Sequence, residues 1–205
     1  MKRYCLYLFI LIGISCSAEL KAQKNGTIYK GNDPAVRYTG RTLVSPDGSV
    51  AFDWVGTYLE TRFTGGKLSV KVSETGTSYY NVFVDGKLHK VVKVCGTDTL
   101  IHLVSGIDKR IHSLKIQKRS EGEFGKTTVH QFVLSGSGRL AEEPAVRTRH
   151  IEFIGNSLTC GYGTDGKHRD EPFLVETENC NLTFASMVAR YYDADYTCLL
   201  YTSPS

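Results

Sequence analysis

The sequence lacks an excess of charge of one sign and lacks the cysteine spacings of metal-binding modules. Its 25 Lys and Arg residues against 21 Asp and Glu residues give a formal net charge of only +4, and no basic patch stands out. A nucleic-acid partner is therefore not expected. Six cysteines in 205 residues, with no CxxC pair and no HExxH motif, argue against a disulfide-stapled mini-protein and against a structural zinc site.

Long apolar runs are also scarce. The longest, residues 4–14, is too short to cross a bilayer as a helix. A Lys-Arg pair precedes it and small residues follow it, which is typical of a secretory signal peptide cleaved after Ala22. A lipid-anchored alternative would use Cys16, but Gly13 stands where such signals prefer a branched aliphatic residue. We predict that residues 1–22 are a signal peptide and that the protein is secreted or periplasmic, with no membrane span.

Residues 23–138 carry a strand pattern. The chain is 41% hydrophobic, which is enough to bury a core. Apolar and polar residues alternate over residues 67–72, and Asp85-Gly86 joins two apolar runs as in a two-residue hairpin. Further strand-forming runs, separated by turn-forming stretches such as Ser105-Gly106, lie at 100–104, 111–116 and 129–134. This spacing predicts an all-β jelly-roll sandwich.

Four aromatic residues of this region are candidates for stacking on sugar rings: Trp54, Tyr58, Tyr79 and Tyr80. The alternative is that they belong to the core of the sandwich. The core is favoured because large aromatic side chains dominate small β cores.

The pattern changes after a linker predicted at residues 139–148. A short apolar strand over residues 150–154 runs directly into Gly155, Asn156 and Ser157. A buried strand that ends in a tight turn with a serine is how α/β hydrolytic enzymes present a nucleophile, and the turn directs the serine's own N–H at the developing oxyanion. An ordinary turn remains the alternative, because serines follow strands in many proteins.

Two segments carry a resemblance to a known family. RHIEFIGNSLTCGYG at 149–163 and ETENCNLTFASMVARYYDADY at 176–196 resemble the first block of the SGNH, or GDSL-like, hydrolases. More specifically, they resemble the second family of carbohydrate esterases, in which a jelly-roll sandwich precedes a flavodoxin-like α/β SGNH domain.

The resemblance implies a function for the turn. Ser157 would be the nucleophile and a backbone oxyanion donor, with Gly155 and Asn156 supporting the motif; Asn156 stands where the family usually has Asp. The implied reaction removes acetyl groups from acetylated plant polysaccharide or oligosaccharide, such as xylan or mannan, without a metal or an organic cofactor.

The same resemblance implies groups that lie beyond this sequence. In the family, a Gly, an Asn and a late His complete the site, and the chain stops before any of them. Apolar residues at helical spacing predict a helix over 182–192. The residues after it, 196–201, are expected to begin the second strand of the domain. We therefore expect residues 149–205 to be an inactive N-terminal fragment of the hydrolase domain that lacks the base. Residues 198–205 resemble translated adapter sequence and are expected to be non-native.

Several alternatives stay open. One is a carbohydrate-binding β-sandwich without catalysis, and another is a lipase-like SGNH enzyme, which the preceding β domain disfavours. His168 with Asp165 or Asp170 could form a triad with Ser157, although a solvated polar loop is favoured. In an exported protein, a disulfide between Cys160 and Cys180 would hold the turn, but sequence does not fix the connectivity.

Overall fold

A computed structural model describes residues 26–200, and most of this range is β structure. The predicted signal peptide, the candidate lipidation site Cys16 and residues 201–205 lie outside the described residues. The strands are β1 Thr27–Lys30, β2 Val36–Thr39, β3 Leu43–Val44, β4 Val50–Phe52, β5 Tyr58–Glu74, β6 Thr77–Val84, β7 Lys87–Cys95, β8 Thr99–Lys118, β9 Thr127–Ser135, β10 Arg139–Leu140, β11 His150–Gly155 and β12 Asp195–Leu200. The α-helices are α1 Ser157–Cys160 and α2 Phe184–Tyr191, and 3₁₀ turns lie at Gly122–Phe124, Val175–Thr177 and Cys180–Leu182.

Ten antiparallel strands form the main sheet. Seven of them follow the order β3-β4-β9-β5-β8-β6-β7, while β1 pairs with β9 and both β2 and β10 pair with β5. The long strand β5 pairs with β8 along one edge, while its other edge is shared by β2, β10 and β9. The prediction of a largely β fold for this part of the chain is confirmed.

The predicted hairpin is confirmed. Strands β6 and β7 are joined by Asp85 and Gly86, which have φ angles of 50° and 75°. Two positive φ angles in succession give the turn whose twist matches that of the flanking strands, and Asp-Gly is a favoured sequence for it.

The prediction of separate strands at 100–104 and 111–116 is wrong, because both belong to the single strand β8. Gly106, predicted to turn the chain, has a φ of 68° within this strand. The pairing of β5 with β8 shifts register around Gly66, whose φ is 80°. The glycines therefore make an irregularity inside a continuous ladder, and the chain does not reverse there.

The core of the sheet contains the alternating residues of the sequence pattern. Leu68, Val70 and Val72 are buried, as predicted, while Lys67 is exposed. The side chains that are completely buried in this core include Phe63, Leu68, Val82, Phe132 and Leu134.

The predicted linker is partly a strand. Arg139 and Leu140 form β10 and pair with Thr64 and Phe63 of β5. Leu140 is buried in the main core, and the N–H of Ala141 donates to a β5 carbonyl at 2.7 Å. Burial of one apolar side chain in a polar segment accounts for the missed strand, because the local sequence contains no alternation there.

Residues 150–200 form a second, smaller unit on the sheet. Strands β11 and β12 pair in parallel, and α2 connects back to β12. The helix and the second strand confirm the predicted elements to within two residues. Within residues 26–200, no helix is long and apolar enough to cross a membrane.

The two units share a core. Val55 and Tyr58 of the β-rich part pack with residues of the smaller unit, namely Cys160, Cys180, Ala185, Ala189, Tyr196 and Cys198. Cys198, which resembles adapter-encoded sequence, is buried and lies opposite Phe153 in the parallel ladder. Salt bridges among a cluster of four charged side chains also join the two units: Arg37, Glu60, Arg147 and Asp195.

A buried histidine gives the sandwich a pH-dependent contact. His112 Nδ1 lies 2.8 Å from Asp85 Oδ2, and its Nε2 lies 2.9 Å from Asp108 Oδ1. The hydrogen bond to Asp85 is the main cause of a raised His112 pKa; burial opposes it, and the bond to Asp108 adds to it.

We expect this histidine to stabilise the fold most at acidic to neutral pH. A raised folded-state pKa gives stability that is fully present below the ordinary pKa of 6.5 and is lost as pH rises through the raised value. The difference in unfolding free energy between wild type and His112→Gln, measured in urea from pH 5 to 9, should therefore shrink as pH rises. The exposed His89→Gln variant is the matched control, and an equal pH profile for both variants would refute the assignment.

Candidate functional site

The turn after β11 presents Ser157 at the carboxyl end of a strand in a parallel pair. Ser157 is the first residue of α1 and is exposed. Asn156 caps the helix, since its Oδ1 accepts from the N–H of Leu158 at 3.1 Å and its carbonyl accepts from Thr159 at 2.8 Å. The position where the family usually has Asp thus has a short-range structural role that Asn can fill.

Close packing against Thr159 leaves no room for a side chain at position 155. A Cβ added at Gly155 would lie 2.0 Å from Oγ1 of Thr159, a side chain that is itself buried. The strand therefore approaches the first turn of α1 more closely than any side chain allows.

We expect Gly155→Ala to lower the free energy of unfolding by about 1–3 kcal/mol, because the added methyl group overpacks this contact. The double variant Gly155→Ala/Thr159→Ala removes the clashing oxygen and should recover part of the loss. Chemical unfolding of wild type, both single variants and the double variant measures the coupling, and strictly additive effects would show that the contact is not the cause.

Among residues 26–200, no histidine or carboxylate forms a hydrogen bond with the side chain of Ser157. The nearest histidine before the turn, His150, has its Nε2 3.0 Å from Thr197 Oγ1 at the other end of β11. His168 lies on an exposed loop, and Asp165 is already held by Arg119 and by Asn179 Nδ2, the latter at 3.0 Å. In the alternative triad, therefore, the carboxylate of Asp165 is engaged by other residues and does not orient His168.

Arg119 joins the segment after the turn to the sandwich, and sequence reasoning missed it. Its side chain is almost fully buried just after β8. Nε donates to the carbonyl of Glu178 at 2.7 Å, an Nη donates to the carbonyl of Glu176 at 3.0 Å, and the guanidinium pairs with Asp165. One buried cation thus fixes three points of the loop that follows Ser157.

Two aromatic rings stack in the same loop. Tyr162 and Phe173 lie face to face with ring centroids 3.5 Å apart, and Phe173 also stacks on Phe124 of the sandwich. Tyr162 is 45% exposed, so a flat aromatic surface borders the turn that carries Ser157. Neither residue showed a pattern that singled it out in the sequence.

The aromatic residues named from the sequence lie elsewhere. Tyr58 and Tyr80 are 1% and 3% exposed, so they belong to the core. Trp54 is half-buried with the guanidinium of Arg41 5.0 Å from its ring centroid, and Tyr79 is half-buried with its hydroxyl 3.3 Å from Glu176.

The structure has no bond between Cys160 and Cys180, whose disulfide the sequence left open. Cys160 and Cys180 are both buried free thiols. The Cys160 thiol donates to the carbonyl of Asn156 at 3.4 Å, whereas the Cys180 thiol donates to the carbonyl of Lys118 at 3.3 Å. The two sulfur atoms therefore have separate partners on separate elements.

The Cys160 thiol also lies in a group with two carboxylates. Glu121, Cys160 and Glu178 each place one ligand-type atom within 4.8 Å of the others. Cys160 and Glu178 are completely buried and Glu121 is half-buried. Among residues 26–200, this is the group whose chemistry fits a bound metal ion.

The chain is a β-rich domain followed by a strand, a tight serine-bearing turn and a helix, which is a two-part α and β architecture. The sequence model of the N-terminal domain of carbohydrate esterase 2 matches residues 38–144, which is more than half of the chain. The protein therefore belongs to carbohydrate esterase family 2, as the resemblance implied.

Individual relatives agree with this assignment. The chain is 32% identical over 163 residues to the cellulase/esterase CelE of Acetivibrio thermocellus, covering 80% of this chain and 20% of the relative. It is 29% identical over 164 residues to an acetylxylan esterase / glucomannan deacetylase of Cellvibrio japonicus, covering 80% of this chain and 45% of the relative.

Solved structures show the same fold. A family two carbohydrate esterase from Clostridium thermocellum, solved in complex with cellohexaose, superposes with a TM-score of 0.77 at 32% identity. The match covers 80% of this chain and 50% of that structure. The chain thus spans half or less of the length of each of these three relatives.

Proposed function

We propose that the complete protein is a carbohydrate esterase that removes acetyl groups from plant cell-wall polysaccharide such as xylan or mannan, with Ser157 as the nucleophile. The observation that carries the proposal is the exposed Ser157 in the tight turn at the carboxyl end of β11, within a family two chain. The names of the Cellvibrio relative, acetylxylan esterase and glucomannan deacetylase, support the substrate class.

The turn supplies two of the groups that acyl transfer needs. The hydroxyl of Ser157 would attack the acetyl carbonyl carbon, the sugar hydroxyl would leave, and water would then hydrolyse the acetyl-serine. The N–H of Ser157 lies at the N-terminus of α1, where an amide has no intrahelical acceptor, and can donate to the oxyanion of the tetrahedral intermediate.

The general base and two further oxyanion donors would come from chain beyond residue 200. In this proposal, residues 149 onward begin an SGNH-type domain, and β11 and β12 are the first strands of a larger parallel sheet. A parallel sheet is stable when helices cover both faces, and α2 supplies only the beginning of that cover. Residues 23–138 and the short strand β10 would form the jelly-roll domain that precedes it.

Residues 1–22 would export the protein to the periplasm or the medium. A signal peptide ahead of an enzyme that acts on polymeric cell-wall substrates agrees with the proposed substrate, because such polymers lie outside the cell. An anchor through Cys16 is the alternative for the same segment.

Acetate release tests the proposal. The complete gene product is incubated with acetylated xylan and acetylated glucomannan, and the 205-residue chain is assayed in parallel. We expect acetate from the complete product and only background hydrolysis from the 205-residue chain. A complete product that releases no acetate from either polymer would contradict the proposed function.

Carbohydrate binding without catalysis is the second candidate, and the stacked Tyr162–Phe173 pair beside the turn favours it. The Clostridium relative was solved with cellohexaose, which supports a glycan ligand for the family surface. Retention on insoluble polysaccharide by a complete product with no esterase activity would favour this candidate.

A further inference from the structure

The group formed by Glu121, Cys160 and Glu178 comes from three separate segments. Glu121 lies between β8 and β9 of the sandwich, Cys160 is the last residue of α1, and Glu178 precedes the 3₁₀ turn Cys180–Leu182. No spacing rule reveals such a group in sequence, because its members are far apart along the chain. The fold brings them to one point between the sandwich and the Ser157 turn.

Within this group, the carboxyl group of Glu178 has an unsatisfied hydrogen-bond acceptor. Its side chain is completely buried, its Oε2 accepts from the N–H of Glu121 at 3.1 Å, and its Oε1 has no hydrogen-bond partner. A buried carboxylate oxygen without a partner costs free energy unless another group satisfies it. One carboxylate oxygen of Glu178 lies within 4.8 Å of the Cys160 sulfur and of a Glu121 oxygen, so the buried side chain is directed into the group.

No side-chain cation among residues 26–200 forms an ion pair with the carboxylates of the group. The two buried cations nearest along the chain, Lys118 and Arg119, have other partners. The Lys118 ammonium donates to Ser78 Oγ and to the carbonyl of Gly125 at 3.0 Å. The Arg119 guanidinium is held by two backbone carbonyls and by Asp165. Burial raises the pKa of Glu178 to about 8 and also raises the pKa of Glu121 and of the Cys160 thiol.

We propose that Glu121, Cys160 and Glu178 bind a divalent cation of the zinc class. One thiolate and two carboxylate oxygens suit Zn²⁺, and three protein ligands leave a fourth position open. Glu121 also lines a pocket of about 230 Å³ that Trp54 and Leu200 border. On binding, the thiol and the protonated carboxyl release their protons to solvent, so that the ion replaces protons.

The ion would stabilise the contact between the serine-bearing turn and the β-rich part of the chain. Cys160 closes the single turn of helix that begins at Ser157, and Glu121 belongs to the sandwich. Coordination would therefore hold the serine turn against the β-rich part without touching the substrate. This inference is independent of the esterase proposal, because it depends only on the three side chains.

Cobalt titration of the 205-residue chain tests the site. Co²⁺ substitutes for Zn²⁺ and gives a thiolate-to-metal charge-transfer band when a cysteine is a ligand. We expect the band to saturate at one equivalent, Zn²⁺ to abolish it, and protons to be released on binding. Absence of the band would overturn the proposal.

Variants assign the ligands. Cys160→Ser and Glu178→Gln should each weaken Co²⁺ binding at least about tenfold, as expected for lost coordination. Cys180→Ser, which replaces the neighbouring buried thiol outside the group, should leave the affinity unchanged. A band that persists in Cys160→Ser would place the metal elsewhere and overturn the assignment.

Stability separates a metal ligand from a purely structural carboxyl. Without metal, Glu178→Gln should be at least as stable as wild type, because a neutral amide replaces a buried acid of similar shape. Added Zn²⁺ should raise the Tm of wild type and not of this variant. A Zn²⁺-induced rise in Tm that is equal in both proteins would refute the site.

Discussion

Replacing Ser157 with Ala in the complete protein is expected to lower kcat/KM for acetylated xylan at least about ten-thousand-fold. In the proposed mechanism the acetyl group is transferred to Oγ of Ser157. No other serine lies at the end of β11. The backbone donor at residue 157 is retained by alanine, so a small residual rate over uncatalysed hydrolysis should survive. Initial rates of acetate release, with circular dichroism to confirm folding, provide the measurement.

Ser105→Ala is the matched control, because Ser105 is an exposed serine of β8 in the sandwich. It should leave kcat/KM unchanged. Turnover by the complete Ser157→Ala protein within tenfold of wild type would rule out Ser157 as the nucleophile. Ser157-dependent turnover by the 205-residue chain would instead show that a base lies within this chain.

The local parts of the structure were predictable from sequence, and the long-range parts were not. The Asp85-Gly86 turn and the Gly155-Asn156-Ser157 turn depend on residues adjacent in the chain, and both form as predicted. The continuity of β8 and the pairing of β10 depend on β5, whose partners lie tens of residues away. Their local sequences, a Ser-Gly pair and a polar segment, favoured turns and coil.

The same distinction applies to the candidate site. Ser157 was found because its motif is contiguous, whereas Arg119 and Glu178 act through contacts between segments that are far apart in sequence. The possible disulfide between Cys160 and Cys180 also depends on contacts that the sequence does not show. Cys160 and Cys180 are close in sequence and both buried, but each thiol is directed at a different backbone carbonyl.

Asp195 is the residue whose loss should destabilise the contact between the two units most. It is buried at the start of β12, where it accepts hydrogen bonds from Arg37 at 2.6 Å, Tyr58 at 2.6 Å and Arg147 at 2.8 Å. Burial alone would raise its pKa, but the bonds from Arg37, Tyr58 and Arg147 outweigh burial and hold the pKa at about 2. With Glu60, it balances the two guanidinium groups of the cluster.

We expect Asp195→Asn to lower the free energy of unfolding at pH 7 by about 3 kcal/mol, because two partly buried guanidinium groups are left with one carboxylate. The pKa shift gives the pH dependence its sign. A depressed folded-state pKa stabilises the fold above the ordinary value of 3.8, and this stability is lost as pH falls towards 2. The difference between wild type and the variant in urea unfolding should therefore be constant near neutrality and shrink below about pH 4.

Asp193→Asn is the matched control for this prediction. Asp193 also pairs with Arg147, at 3.2 Å, but its side chain is 89% exposed. An exposed pair contributes little, so this variant should stay within about 0.5 kcal/mol of wild type at every pH. Equal losses for the two variants would mean that burial of the cluster does not decide its contribution. A loss specific to Asp195 would show that β12 is held to the sandwich by charge as well as by the shared apolar core, and that the unit carrying Ser157 depends on the sandwich for its position.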